Sequence, residues 1–262
     1  MLTLYFSGTG NTKYVANLFS SQMDAECFSI ESNIDFKAKI ESHEIIAFCY
    51  PVYGSRVPLI MREFVAKNIS AIKGKKLIIL VTQLIFSGDG ARVLCDLFPE
   101  NYVEVIYAQH FNMPNNICNF ALMRQVSARK LQQKKDKANK KIATICQDIE
   151  SGVIKRRGFS AFSRFLGKIQ GNHWQGDSKK VFALEGTMEY RAKHGLKIDD
   201  DCTMCGICVR ICPMKNLEIS HDKISHKNNC TVCYRCVNYC PQKAITVFLH
   251  AKPKWQYQGV EK

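Results

Sequence analysis

The C-terminal part of this 262-residue chain repeats itself with a period of 28 residues. Cys202, Cys205, Cys208 and Cys212 recur as Cys230, Cys233, Cys236 and Cys240. The match runs on past the cysteines, Pro213 recurring as Pro241, Leu217 as Ile245 and Ile219 as Val247. Each half therefore reads C-x2-C-x2-C-x3-C-P followed by alternating apolar positions. Repetition at a fixed period means two copies of one supersecondary unit.

Eight of the 13 cysteines fall in this stretch; Cys27, Cys49, Cys95, Cys118 and Cys146 are scattered and read as small buried hydrophobes. Met1–Phe6 is too short and lacks the basic start of a secretory signal, and no apolar run has the length of a membrane span. The chain reads as cytoplasmic, and in a reducing compartment clustered cysteines mean metal, not disulfides. Three cysteines at intervals of three can wrap one cubane, while the fourth, before proline, reaches the other. Cys202, Cys205, Cys208 and Cys240 are thus expected to hold one 4Fe–4S cluster, and Cys230, Cys233, Cys236 and Cys212 a second. Zinc prefers two spaced pairs, which this pattern does not supply. Gly206, beside Cys205, lets backbone amides approach the cluster sulfurs; Tyr234 stands there in the second repeat. Leu217–Ile219 and Lys223–Ser225, around His221-Asp222, predict a hairpin between the halves. Residues 197–250 closely resemble the bacterial two-cluster ferredoxins, which implies a small α+β unit with pseudo-twofold symmetry and low-potential one-electron chemistry.

The other end of the chain reads strand, glycine-rich turn, helix: Leu2–Phe6, then Ser7-Gly8-Thr9-Gly10-Asn11-Thr12, then Val15, Leu18 and Phe19 on one face. Such a turn gathers backbone amides and hydroxyls at a helix N-terminus, where the dipole favours an anion. Neither G-x4-G-K-[ST] nor G-x-G-x-x-G is present, since Lys13 takes the third glycine position. The hydroxyls of Ser7, Thr9 and Thr12 suit a terminal phosphate monoester. Candidate strands follow at Ala25–Ile30, Ile45–Tyr50, Lys76–Thr82 and Tyr102–Ala108, with helical patterns at Phe36–Glu41, Pro58–Ile69 and Gly90–Leu97. This alternation predicts an α/β, flavodoxin-like doubly wound five-stranded parallel sheet of order 2-1-3-4-5, with ligands at the carboxyl ends of its strands.

Ser7–Thr12 resembles the FMN-phosphate loop of flavodoxins. The resemblance covers roughly residues 1–118 and implies that Pro51-Val52-Tyr53-Gly54 and Thr82-Gln83, with Gly88, cradle the isoalloxazine ring. Tyr53 is the candidate to stack on it and Phe86 a weaker second. One departure is charge. Flavodoxins are strongly acidic, whereas residues 1–120 hold 10 Lys/Arg against 11 Asp/Glu.

The net charge of +14 comes from further on, with 18 Lys/Arg against 8 Asp/Glu in residues 121–200. Leu131, Ala138, Ile142, Ile145 and Ile149 share a helical face edged by lysines, predicting a lengthened last helix of the first domain. Phe159, Phe162, Phe165, Leu166 and Ile169 form a second stripe beside Lys155, Arg156, Arg157, Arg164 and Lys168. Docking of the two domains by this stripe is preferred to contact with an anionic membrane. Gly167, Gly171 and Gly176 around His173 and Trp174 predict a loop near a cofactor. The expected organisation is a flavodoxin-like domain at 1–152, a basic connector at 153–196, the two-cluster domain at 197–250 and a tail at 251–262.

As a whole the chain resembles the flavodoxin–ferredoxin fusion proteins of anaerobic bacteria, the EFR1-type ferredoxin family. The resemblance implies an electron carrier, with FMN and two 4Fe–4S clusters exchanging electrons. A basic surface of this kind steers acidic redox partner proteins. No nucleic-acid-binding motif is visible, and the lysine-rich helix lacks interleaved stacking aromatics. A flavin-dependent oxidoreductase with a small substrate and a redox-sensing or membrane-associated protein remain the alternatives, and the oligomeric state is open.

Overall fold

The computed structural model describes residues 1–120, 122–248 and 250–261. Its main sheet contains β1 (Leu2–Tyr5), β2 (Glu26–Ser29), β3 (Ile45–Pro51), β4 (Lys76–Gln83), β5 (Glu104–Asn112) and β6 (Lys155–Arg156). All pairings are parallel, and the order is β2-β1-β3-β4-β5-β6. This is the expected flavodoxin-like sheet, with a two-residue strand from the connector added at its edge. The central strands read as unbroken apolar runs because helices cover both faces. On one face Leu2, Leu4, Phe48, Ile79 and Val81 pack with Met61 and Val65 of α3 (Leu59–Lys67). On the other, Ala47, Cys49, Ile78 and Leu80 meet Val15 and Phe19 of α1 (Asn11–Gln22) and Ala138, Ile142 and Ile145 of α5 (Ala128–Glu150). The basic helix is thus the last layer of the first domain, started by Ser127, whose hydroxyl accepts from the Lys130 amide.

Two helical expectations shift. The segment after the third strand breaks at Asn68, whose side chain donates to the Phe64 carbonyl, and restarts as α4 (Ile69–Ile72). The segment around 90–97 is a 3-10 helix, Arg92–Leu97, held by Arg92 between Asp89 and Asp96. Short α2 (Phe36–Glu41) is capped by Asp35.

The connector departs furthest from expectation. Residues 161–174 form a helix, α6 (Ala161–Trp174), where a glycine-rich loop was predicted. Nor does the apolar stripe dock as a whole, since only Phe159, packed against the core, and half-buried Leu166 turn inward. Gly167 and Gly171 face inward, while Phe162, Phe165 and Ile169 are exposed. The reason is steric: a β-carbon at Gly167 would sit 1.8 Å from the Asp89 carboxylate, and one at Gly171 1.8 Å from the Arg56 guanidinium. Only a bare backbone fits that close. Arg56 donates to the Gly167 carbonyl and Ser55 to Gln170, which fixes the helix along the turn after β3. Beyond it, α7 (Met188–His194) carries Glu189, which pairs with Arg62 of α3 at 2.9 Å in the protein interior.

His110 of β5 is buried, and its Nε2 accepts from the Ala91 amide at 3.3 Å. Burial first, then the charges of Arg157 and Lys141, bring its pKa down to about 4. An unfolded histidine titrates near 6.5, so between these values the unfolded chain holds the extra proton and stability rises with pH. Acidification from about pH 6.5 towards 4 is therefore expected to remove up to about 3 kcal/mol, and His110→Asn to flatten that slope in denaturant titrations at stepped pH.

The C-terminal unit holds β7 (Lys197–Ile198), α8 (Ile207–Ile211), β8 (Leu217–Ser220), β9 (Lys223–His226), α9 (Arg235–Tyr239) and β10 (Ile245–Thr246). β8 and β9 form the predicted hairpin, and β10 closes antiparallel on β7. The sequence repeat is also a backbone repeat. Met204 and Val232 have φ of 53° and 59°, Gly206 and Tyr234 70° and 60°, Lys215 and Lys243 48° and 55°. Tyr234 accepts the left-handed conformation that Gly206 adopts without penalty, anchored by its hydroxyl on the Val247 carbonyl at 2.9 Å. The tail beyond residue 250 is a strap, not a free end: Tyr257 and Val260 are buried against the α1 and α5 layer.

Candidate functional site

β1 ends beneath a loop that enters α1 at Gly10, whose φ of 99° only glycine takes cheaply. No side chain caps this helix, so its first-turn amides are left for an anion, with the dipole in support. Ser7 Oγ accepts from the Gly10 amide at 3.1 Å and shapes the loop. Thr12 and Thr82 meet hydroxyl to hydroxyl at 2.8 Å, tying the loop to the end of β4. A cavity of about 120 Å³ opens there, between the ends of β1, β3 and β4.

Ser7, Gly8, Thr9, Asn11, Thr12, Pro51, Val52, Tyr53, Thr82 and Gln83 all line this cavity, so the structure brings ten of the expected positions together. Three are placed elsewhere. Gly10 shapes the helix start and borders the neighbouring cleft, not this cavity. Gly54 and Ser55, with φ of 53° and 60°, form a tight two-residue turn whose open side is covered by Trp174. Gly88 lies against Ser163 and Gly167 of α6, and Phe86 points to solvent. What the motif reading missed is the stretch after β5: Met113, Pro114, Asn115, Asn116 and Ile117 close the cavity's far wall. The signal was Pro114-Asn115-Asn116 following a strand, a turn at the carboxyl edge where ligands sit.

The lining carries the groups that a phosphorylated, planar aromatic ligand such as FMN would use. It supplies open amides and hydroxyls at one end and an aromatic ring at the other. At about 120 Å³ the cavity is below the roughly 300 Å³ at which ligand pockets begin, so the walls would part to admit the ring. The Tyr53 hydroxyl is buried without a hydrogen-bond partner, a cost that a ligand polar atom would remove.

The cysteine unit sits directly on this loop. Asn116 Nδ2 donates to the Cys233 carbonyl at 3.2 Å, and Asn238 Nδ2 donates back to the Asn116 carbonyl at 2.8 Å. A β-carbon on Gly8 would come within 2.7 Å of the Cys233 carbonyl and 3.1 Å of the Tyr53 hydroxyl. Cys233 packs in the same core as Tyr53 and Val52. Arg235, on the next turn, donates to the Ser7 carbonyl at 2.7 Å and the Gly8 carbonyl at 3.0 Å, and forks onto both Glu31 oxygens at 2.7 Å. Tyr257 of the strap donates to Asn11 Oδ1 at 2.6 Å.

None of the eight motif cysteines is paired in a disulfide. Cys208 lies within electrostatic reach of Cys240, Cys202 and Cys205, and Cys236 within reach of Cys230, Cys233, Cys212 and Cys208. Corresponding amides serve corresponding sulfurs: Asn216 N donates to Cys212 Sγ and Ala244 N to Cys240 Sγ, each at 3.3 Å. Burial pushes Cys230 up to about 12 and Cys233 to about 11. Thiols in such surroundings are inert nucleophiles, and binding a cationic centre would displace their protons to solvent. Cys118, one of the scattered five, lies in the same core as these cysteines.

A flavodoxin-like α/β domain carrying a cysteine-rich 4Fe-4S-type domain supports a redox, electron-transfer role. The flavodoxin domain model matches residues 2–144, more than half of the chain, and the chain belongs to that family. A 4Fe-4S dicluster domain matches residues 201–245. Among solved structures, the two-electron reduced flavodoxin of Megasphaera elsdenii is similar at 18% identity, over 55% of this chain and 99% of that one, with a TM-score of 0.39. General stress protein 14 of Treponema denticola, in complex with FMN, is similar at 12% identity, over 56% of this chain and 97% of that one, with a TM-score of 0.41. No curated protein matches the chain.

Proposed function

We propose that the chain is a cytoplasmic electron carrier of the EFR1-type flavodoxin–ferredoxin fusion family, passing electrons between FMN, two 4Fe–4S clusters and acidic redox partner proteins. The observation that carries this reading is the seat of Cys233, whose carbonyl is held by Asn116 against Gly8 and Tyr53 at the wall of the flavin cavity. The flavin, when bound, supplies a centre that takes electrons in pairs and releases them singly. The Ser7–Thr12 loop binds the phosphate, while Pro51, Val52, Tyr53, Thr82 and Gln83 orient the ring. Cys212, Cys230, Cys233 and Cys236 hold the inner cluster, and Cys202, Cys205, Cys208 and Cys240 the outer one.

Cys230, Cys233 and Cys236 are buried, as are Cys208 and Cys240, so the open edge of the unit is at Cys205, which is exposed, with Met204 next to it 41% exposed. Cys212, Cys230, Cys233 and Cys236 would hold a cluster on the side of the flavin site, and Cys202, Cys205, Cys208 and Cys240 one on the side open to a partner. An anaerobic reductive titration of the purified chain, followed optically and by EPR, tests this. Two cubane signals and one flavin per chain are expected, and a chain that purifies and reconstitutes without flavin overturns the reading.

A further inference from the structure

Helix α6 is built inside out for a segment that only ties the chain down. Its inward positions are bare glycines, and its outward ones are Phe162 at 70% exposure, Phe165 at 62% and Ile169 at 46%. Positions i, i+3 and i+7 share a helix face, so these side chains form one apolar stripe. Arg164 and Lys168, a turn apart and both exposed, run beside it. The strand leading into the helix adds exposed Val153 and Ile154, then exposed Lys155, Arg156 and Arg157. From residue 153 to residue 174 there is no Asp or Glu. The loop ending at Gly88, whose backbone abuts α6, also presents Ile85 and Phe86 to solvent.

We propose that this face docks on an anionic lipid bilayer, with α6 lying in the headgroup plane. Phe162, Phe165 and Ile169 enter the acyl boundary, and Arg164 and Lys168 meet lipid phosphates. Charge complementarity decides the occupant. A second copy of the chain carries the same net charge of +14 and meets this basic face with repulsion. An acidic protein would need sockets shaped for isolated phenyl rings on a convex helix, whereas acyl chains admit them in any arrangement. Among the described residues no helix is long and apolar enough to cross a membrane, so the contact is a surface one. It stands independently of the cofactor reading.

The test is co-sedimentation of the full chain, purified anaerobically, with vesicles of phosphatidylcholine alone or mixed with phosphatidylglycerol. The expected result is binding to the anionic vesicles alone, weakened by salt. Phe162→Ser with Phe165→Ser, and separately Arg164→Glu with Lys168→Glu, should each lower that binding at least about tenfold. These side chains point outward, so circular dichroism and iron content should not change. Lys137→Glu with Lys140→Glu on α5 should leave binding as it is. Anionic-vesicle binding that survives the phenylalanine replacements overturns the assignment. So does a failure to bind anionic vesicles at low salt, including one in which an acidic protein retains the chain instead.

Discussion

Replacing Arg235 with methionine should part the two units while leaving each folded. Arg235 gives its donors to the Ser7, Gly8 and Ile211 carbonyls and to both oxygens of Glu31, so no conservative substitute reproduces it. Glu31 then remains at a partly buried interface without its partner. Truncating one member of a fully buried pair costs about 2–5 kcal/mol, and with side chains 17% and 25% exposed this one should fall at the lower end. The loss falls on the interface rather than on either core. Thermal unfolding should therefore split into two transitions, and the radius of gyration from anaerobic small-angle scattering should grow at unchanged iron per chain. Glu31→Gln keeps an acceptor for the guanidinium and should lose less. A single transition at the original temperature in the Arg235 variant would show that the strap and Asn116 alone hold the units together.

The second large effect is expected at Arg62 and Glu189, which are 1% and 3% exposed. Arg62 also donates to the Val57 and Val181 carbonyls, so it stitches α3 to the connector from inside. Burial raises the Glu189 carboxyl above its ordinary range, with Arg62 pulling the other way. Removing only one partner strands a buried charge, at a cost of about 3–5 kcal/mol; removing both trades an ion pair for apolar contact. Arg62→Met should accordingly be strongly destabilising in denaturant titrations, and Arg62→Met with Glu189→Met substantially less so. Additive losses in that double-mutant cycle would mean that the pair is not coupled.

The reach of sequence reasoning follows from how local each signal is. The sheet was readable because β3 and β4 must be apolar throughout when covered on both faces. The ferredoxin-like half was readable because metal geometry forces its spacing, down to the left-handed backbone shared by Gly206 and Tyr234. Of the ten cavity-lining positions, Ser7, Gly8, Thr9, Val52 and Tyr53 lie in loops and the other five at the ends of α1, β3 and β4, where composition marks them. Gly54 and Gly88 looked the same in sequence, yet each is a glycine because a helix backbone or Trp174 presses on it. Such pressure comes from residues more than seventy positions away and leaves no local trace. For α6 the apolar stripe was visible and its direction was not. Periodicity reports that a face exists, and only the partners of Gly167 and Gly171 say which face turns inward. The strap was missed because Trp255, Tyr257 and Val260 follow no helical or strand period.

The strap and Arg235 join the two ends of the chain. Tyr257 reaches Asn11 across 246 positions, and Arg235 reaches Ser7 across 228. Contacts so distant along the chain form late in folding, after each unit has satisfied its own nearer pairings. Assembly therefore has a built-in sequence, with the Ser7–Thr12 loop and the cysteine loops complete before they meet. Were the seam to part while both cores persisted, the Ser7–Thr12 loop is what would be exposed.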